Sequence, residues 1–268
     1  MADFFISLIR MQNPDKSDER QGFTLIELSV VIIILGLLVG GILGGRHLIR
    51  AAELQNVGKE YQQWHLAVNQ FIEVYNSVPG DMLDATDFWA DTWDGDGDGA
   101  VDDATAAGIA GEIFTFWQQL ALAGMINGEY TGIEGGGGPG PDDFMDSIVG
   151  ENVPGSRVSS GGWSVNWVPA DGVFTNDWYE IDYGNQFEIG GKIPDFEMGA
   201  PLFTPEEAWS IDRKFDDGEP AKGMIIARYW NDLCAEAIDG TSTADDLEAQ
   251  YRVDDSAVRC ALTFRRAF

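Results

Sequence analysis

The chain has 268 residues, of which 44% are hydrophobic and 12% aromatic, so it can bury a sizeable core and is not a disordered polymer. Its formal net charge of -29 repels phosphate backbones and anionic lipid head groups, which argues against nucleic acid as a partner of the folded part.

Residues 23–43 hold Thr24, Glu27 and Ser29 as their only polar side chains. At about 1.5 Å per residue such a run spans roughly 30 Å, the thickness of a hydrocarbon core, and it predicts a single transmembrane helix. A secretory signal would place Lys or Arg directly before a shorter apolar core and follow it with a small-residue cleavage site. Here the polar stretch NPDKSDERQG ends at Gly22, and the apolar run begins abruptly at Phe23. Gly22, Phe23, Thr24, Leu25, Ile26 and Glu27 resemble the class III signal of type IV pilins and type II secretion pseudopilins, a likeness that is strong over roughly residues 20–75 and weak beyond. The resemblance implies that a prepilin peptidase cuts after Gly22 on the cytoplasmic side and methylates the new amine of Phe23, leaving residues 1–22 as a leader. It also implies that the amine of one subunit meets Glu27 of a neighbour. A carboxylate in lipid costs a few kcal/mol without a partner, so such a pairing would set the register between subunits. A transport or protease role for the acid would call for a second membrane carboxylate, and the run has none. Arg10, Lys16 and Arg20 on one side and Arg46 and Arg50 on the other leave orientation open by charge; the resemblance places the leader inside.

Gly40, Gly41, Gly44 and Gly45 follow, four glycines in six residues. Each weakens a helix interior by about 1 kcal/mol relative to alanine, which predicts a soft joint; close packing of membrane helices is an equally good reason for them. Val57, Tyr61, Trp64, Val68, Phe71, Ile72 and Tyr75 then recur at three- and four-residue steps and share one helix face that should dock on a head. Glu53, Gln55, Lys59, Glu60, Gln62, Gln63 and Gln70 fall mostly on other faces. Residues 23–75 together predict a rod of about 80 Å.

Pro79 and Gly80 in SVPGD (residues 77–81) end the rod. A second helix is expected over about 104–123, with Ile109, Ile113, Phe116, Trp117 and Leu120 on one face, and a flexible loop over 132–141. Residues 161–169, 172–183 and 185–193 alternate apolar with polar side chains and read as strands, with a tight hairpin turn at Tyr183, Gly184, Asn185 and Gln186. Thr204, Pro205 and Glu207 form a capping-box signature for a short helix through Trp209, Ile211 and Phe215. KGMIIARYW and RCALTFRRAF supply two more strands, and Cys234 and Cys260, the only cysteines, pair as one disulfide in an exported head. The predicted class is α+β: leader 1–22, long helix 23–76, and a head over 77–268 whose antiparallel sheet packs on the helix.

The sharpest chemical signal is DGDGDGAVDDAT, residues 94–105. Asp94, Asp96, Asp98, Ala100 and Asp102 keep the spacing of a calcium loop, with Gly99 at its sharp turn. The bidentate acid expected at the last position is replaced by Thr105, and Glu112 on the next helix can stand in for it if the chain folds back. A solvated acidic turn is the plainer alternative, but so many carboxylates repel strongly without a cation. A weaker candidate is SIDRKFDDGEP, where Asp212, Asp216 and Asp217 read as a helix end and turn or as a second cation site.

Catalysis is not expected. His47 adjoins the membrane and His65 lies on the rod, which suits neither a triad nor a zinc site. Trp163, Trp167, Trp178 and Tyr179 read as sheet core before they read as a sugar platform. The resemblance implies a structural subunit: an inner-membrane precursor that polymerises with itself or other pilins, through a pilus or type II secretion platform and a separate ATPase, into a periplasmic or cell-surface filament for adhesion, motility, DNA uptake or secretion. The alternative is a membrane-anchored, calcium-dependent binding protein or hydrolase that never polymerises.

Overall fold

The computed structural model describes residues 23–102, 111–134, 146–168, 179–194, 198–228, 233–236 and 247–268. The leader with Gly22, the Asp103 and Thr105 positions of the acidic loop, most of the glycine-rich loop and Trp178 lie outside the described residues. The chain divides into two compact units, one ending at Ile49 and one running Arg50–Phe268.

Helix α1, Leu25–Tyr75, takes in the apolar run and, from Arg50 onward, an amphipathic stretch that belongs to the second unit. In the first unit the backbone is helical through all four glycines, and a methyl group added at any of them meets nothing within 4 Å. That stretch is long and apolar enough to cross a membrane, and none of its most apolar window is buried.

In the second unit the expected stripe is the buried one. Val57, Trp64, Val68 and Phe71 lie in the core, with Tyr61, Ile72 and Tyr75 packed against it. They face a four-stranded antiparallel sheet of β1 (Gly162–Val168), β2 (Gly184–Gly190), β3 (Ile225–Ala227) and β6 (Leu262–Phe264) in the order β1-β2-β6-β3. Past the short helix α2 (Ala85–Phe88) comes α3 (Glu112–Leu122); the Tyr61 ring stacks on Phe264 at 4.4 Å, and Trp64 meets Trp117 of α3 edge-on at 5.5 Å. Strand alternation sends Ile225 and Ala227 into this core and Ile226 into a smaller one with Val168, Tyr179 and Tyr183. Trp163 is fully buried and Tyr179 nearly so, which makes them core aromatics, while Trp167 is half-buried.

Two local expectations fail. The strand expected over 172–183 is not formed at 179–183, while the helix expected over about 104–123 is seen over Glu112–Leu122, with residues 104–110 outside the described residues. Tyr183 to Gln186 do not turn a hairpin: Gly184 already pairs with Val168, so β1 and β2 are joined through residues 169–183. Tyr183 is 1% exposed and its carbonyl accepts from Arg266 N–H, which is incompatible with the tip of an exposed turn. The capping box forms as expected at the start of α4 (Pro205–Phe215), where the Thr204 hydroxyl accepts from Glu207 N–H and Glu207 accepts from Thr204 N–H. Cys234 and Cys260 form the disulfide, at 4.9 Å between Cα atoms, and tie the two-stranded β4–β5 pair (Ala235–Glu236, Gln250–Tyr251) to the residues before β6. A bridge of this span contributes on the order of 3 kcal/mol.

One polar residue of α1 is buried against the pattern. Glu60 accepts from Trp163 Nε1 at 2.8 Å, Ser156 Oγ at 2.7 Å and Arg157 N–H at 2.8 Å, so it fastens α1 to β1 and the turn before it. Replacing Glu60 with Leu strands three donors, and a thermal melt of the full chain in detergent should show a loss of about 2–4 kcal/mol. Glu60→Gln, which keeps acceptor oxygen, should lose less; equal melts for wild type and Glu60→Leu would refute the clamp.

Candidate functional site

The start of α1 is a local device built on Thr24 and Glu27, with Phe23 beside it. Thr24 precedes the helix, and its N–H and hydroxyl both donate to Glu27 Oε2 at 2.8 Å, while Glu27 N–H donates to Thr24 Oγ1 at 3.3 Å. This is a reciprocal capping box, legible as Thr-x-x-Glu before an apolar run. Phe23 beside it is 89% exposed. Glu27 Oε1 has no hydrogen-bond partner among the described residues, so one carboxylate oxygen remains for a cation.

The acidic loop is built where α1 gives way to the head. Gly80 has φ +88° and donates to Gln119 Oε1 of α3 at 2.7 Å; a side chain there would lie 2.6 Å from the Glu112 carbonyl oxygen. Gly95 donates to the Met82 carbonyl at 2.8 Å, and a Cβ at Gly95 would lie 2.4 Å from Asp81 Cα. Only glycine lets these strands of backbone pass so closely. The crossing puts Asp81, 3% exposed, beneath the loop, where its carboxylate accepts from Gly97 N–H at 2.6 Å, Asp98 N–H at 3.1 Å and Gly99 N–H at 2.9 Å. Asp81, Asp96 and Asp98 each offer a carboxylate oxygen within 4.8 Å of the others. Asn185 of β2 pins the far end of the loop, donating to Gly99 O and accepting from Val101 N–H, both at 2.9 Å.

The other expected ligands are placed as follows. Asp94 turns away to accept from Thr86 N–H at 2.8 Å and from its hydroxyl at 3.0 Å. Ala100 donates its N–H to Asp98 Oδ1 at 2.8 Å, and half-buried Asp102 is not in the carboxylate group. Glu112 does fold back: it is 1% exposed, its Oε1 accepts from Asp96 N–H at 2.9 Å, and its Oε2 is buried with no hydrogen-bond partner. Burial, with the charges of Asp81 and Asp96, pushes the Glu112 carboxyl up to about 8, against the backbone amides of Asp96 and Asp102 that draw it down. Burial likewise raises Asp81, against the opposing Gly99 and Gly97 amides. Sequence reasoning left Asp81 in the Pro-Gly-Asp turn; the signal that it does more was an acid directly after a turn glycine.

Asp212, Asp216 and Asp217 also bring carboxylate oxygens within 4.8 Å of one another. The fold bonds both oxygens of Asp212, Oδ2 of Asp216 and Oδ1 of Asp217. Asp212 accepts from Tyr251 OH at 2.8 Å and Gly218 N–H at 3.0 Å; Asp216 accepts from Met224 and Ile225 N–H; Asp217 accepts from Glu219 N–H at 2.8 Å. The group caps the end of α4 and the turn after it. The histidines stand apart, with His47 exposed and His65 Nδ1 2.6 Å from the Ala267 carbonyl oxygen.

Residues 19–43 match the prokaryotic N-terminal methylation motif, the class III prepilin signal of type IV pilins and pseudopilins. The match takes in the Phe23 to Glu27 device and most of the apolar run. Comparison with curated proteins and with solved structures returned no match to the chain.

Asp212 gives the head a specific pH response. Burial raises its carboxyl from 3.8 to about 7, partly opposed by Tyr251 and Gly218. The folded chain therefore holds a proton that the unfolded chain releases near pH 4, and stability from this group is lost as pH rises from about 4 to about 7. Asp212→Asn, which keeps an acceptor and cannot ionise, should melt increasingly above wild type across that window and by a constant margin beyond it. Parallel melting curves at pH 5 and pH 8 would refute the assignment.

Proposed function

We propose that this type IV pilin-like precursor is cut after Gly22 and polymerises through α1, with the Phe23 amine of one subunit seated on Glu27 of the next. The reading is carried by one observation: at the head of an apolar helix, a carboxylate held by its own cap keeps one oxygen free beside the residue that cleavage would turn into a cation. In the precursor that position is an amide and carries no charge. Cleavage creates the amine, so pairing becomes available only after processing. In low-dielectric surroundings a paired amine and carboxylate attract far more strongly than in water, while either alone is costly. The apolar side chains of residues 25–42 are exposed in the single chain, and neighbouring helices of the same kind would cover them in a filament.

Assembly, not chemistry on a substrate, is then the activity of the chain. Energy and scaffold come from partners: the peptidase, an assembly platform and an ATPase. The choice between a surface pilus and a periplasmic pseudopilus belongs to those partners and to the head's surface. The motif gives a non-polymerising anchored protein no support.

The capping box and the proposed ion pair can be separated. Glu27→Gln retains the N-cap exchange with Thr24 and removes the charge. The variant should insert and be processed normally yet yield roughly tenfold less sheared filament, or lower, on an immunoblot, since about 1.4 kcal/mol lost per contact is a factor of ten. Wild-type amounts of filament would leave Glu27 a helix cap only and overturn the pairing. Gly22→Glu should leave the precursor unshifted on a gel and yield no filament; processing at any other bond would overturn the assigned cut.

A further inference from the structure

We propose that Asp81, Asp96 and Asp98, with Glu112 behind them, form a calcium site that ties the end of α1 to α3. The ligand set differs from the one that the loop's spacing suggests: Asp81, thirteen positions before Asp94, takes the place that Asp94 vacates for Thr86.

The geometry suits a large, hard cation. Calcium binds oxygen at about 2.4 Å, so ligand atoms on opposite sides of one ion are no more than about 4.8 Å apart. The three aspartates meet that limit before any rearrangement, their carboxylate oxygens lying within 4.8 Å of one another. Every ligand in reach is oxygen, which disfavours zinc, and a site with several carboxylates is more than magnesium ordinarily uses. Acids alone would not make a site. The independent observation is Glu112, whose Oε2 is sealed from solvent without a hydrogen-bond partner while its other oxygen is held against the loop by Asp96 N–H. No Lys or Arg among the described residues forms an ion pair with any of the four acids. A buried carboxylate oxygen with neither donor nor counter-ion is costly, and a cation is the one partner that would satisfy it and the neighbouring acids together. The cluster at Asp212 lacks any such orphan, because its buried acid has both oxygens bonded.

The ion would join three successive stretches of chain: the turn after α1 at Asp81, the acidic loop at Asp96 and Asp98, and the first residue of α3, Glu112. Its loss should loosen the corner of the head where α1 ends. This site is independent of assembly and is testable on the unassembled chain.

The test is titration of calcium chloride into full-length, chelator-stripped protein in detergent, read by calorimetry and by melting temperature. Wild type should bind one ion per chain at this site. At a hundredfold excess over Kd its melting temperature should rise by roughly 5–10 °C. The double change Asp96→Asn and Asp98→Asn, on exposed side chains that leave the core untouched, should abolish the shift, and Glu112→Gln should weaken binding at least tenfold. Asp94→Asn should bind like wild type. Absence of a heat signal and of a shift in wild type would overturn the site, as would an undiminished response in the double variant. Loss of binding in Asp94→Asn would overturn the ligand set in favour of the loop's own spacing, and loss in a variant with Asp216→Asn and Asp217→Asn would move the ion to the other cluster. Binding would be scored in the same way in Glu27→Gln, so failure of assembly and failure of the site remain distinct.

Discussion

The aromatic face of α1 is the interaction on which the head depends. Val57, Trp64, Val68 and Phe71 bury against the sheet and α3, and the rings of Tyr61, Phe264, Phe187 and Trp117 interlock around them. Each large side chain fully removed from water contributes about 1.5–3 kcal/mol, so this face outweighs any single polar contact in the head. It also explains how a helix that is apolar all round at its start can be amphipathic later. The second half needs one dry face for its own fold, whereas the first half offers apolar side chains all round and finds no cover within its own unit.

Polar groups then do local work on that frame. Glu60 takes three donors where α1 meets β1, and Arg50 holds Glu207 through two nitrogens, joining α1 to the cap of α4. Arg228 and Glu188 pair inside the sheet at 2.8 Å, both nearly inaccessible to water. A chain with 45 acids and 16 basic residues has few cations, and Arg50 and Arg228 each orient an acid of another element. Asp81, Asp96, Asp98 and Glu112 form no ion pair with a Lys or Arg among the described residues.

Much of this was legible in the sequence where the governing interaction is local or periodic. The α1 stripe follows from three- and four-residue recurrence, the α4 start from Thr204, Pro205 and Glu207, and the disulfide from there being only two cysteines. What escaped depends on partners distant in sequence. Glu60 sits among polar neighbours and looks solvated, because Trp163 is 103 residues away. Tyr183 looks like part of a turn beside Gly184 and Asn185, but burial in the smaller core overrides local turn preference. The acidic loop shows both effects at once. Alternating Asp and Gly mark a loop where carboxylates gather, and Glu112 does return from α3 to it, yet Asp94 accepts from Thr86 close by, and the acid that lies with Asp96 and Asp98 is Asp81.

The two ends of α1 pose the same electrostatic problem and meet it differently. Glu27 and Glu112 each sit at the first turn of a helix with one oxygen held by a local donor and one left over. A capping contact contributes about 1 kcal/mol, less than the several kcal/mol that an unpaired charge costs out of water. Local bonding therefore orients each carboxylate without settling its charge: burial pushes Glu112 up to about 8, so that a proton answers it below that pH, and Glu27 Oε1 has no hydrogen-bond partner among the described residues. At Glu112 the surroundings are protein, and the charges of Asp81 and Asp96 press on it, a repulsion that a divalent ion would relieve. At Glu27 the surroundings would be lipid and other helices, from which hydrated ions are excluded, and under the proposed processing the nearest source of positive charge would be an amine carried by another copy of the same segment. On the two proposals, the difference in solvent, not in the residue, would send one glutamate towards a metal and the other towards a subunit.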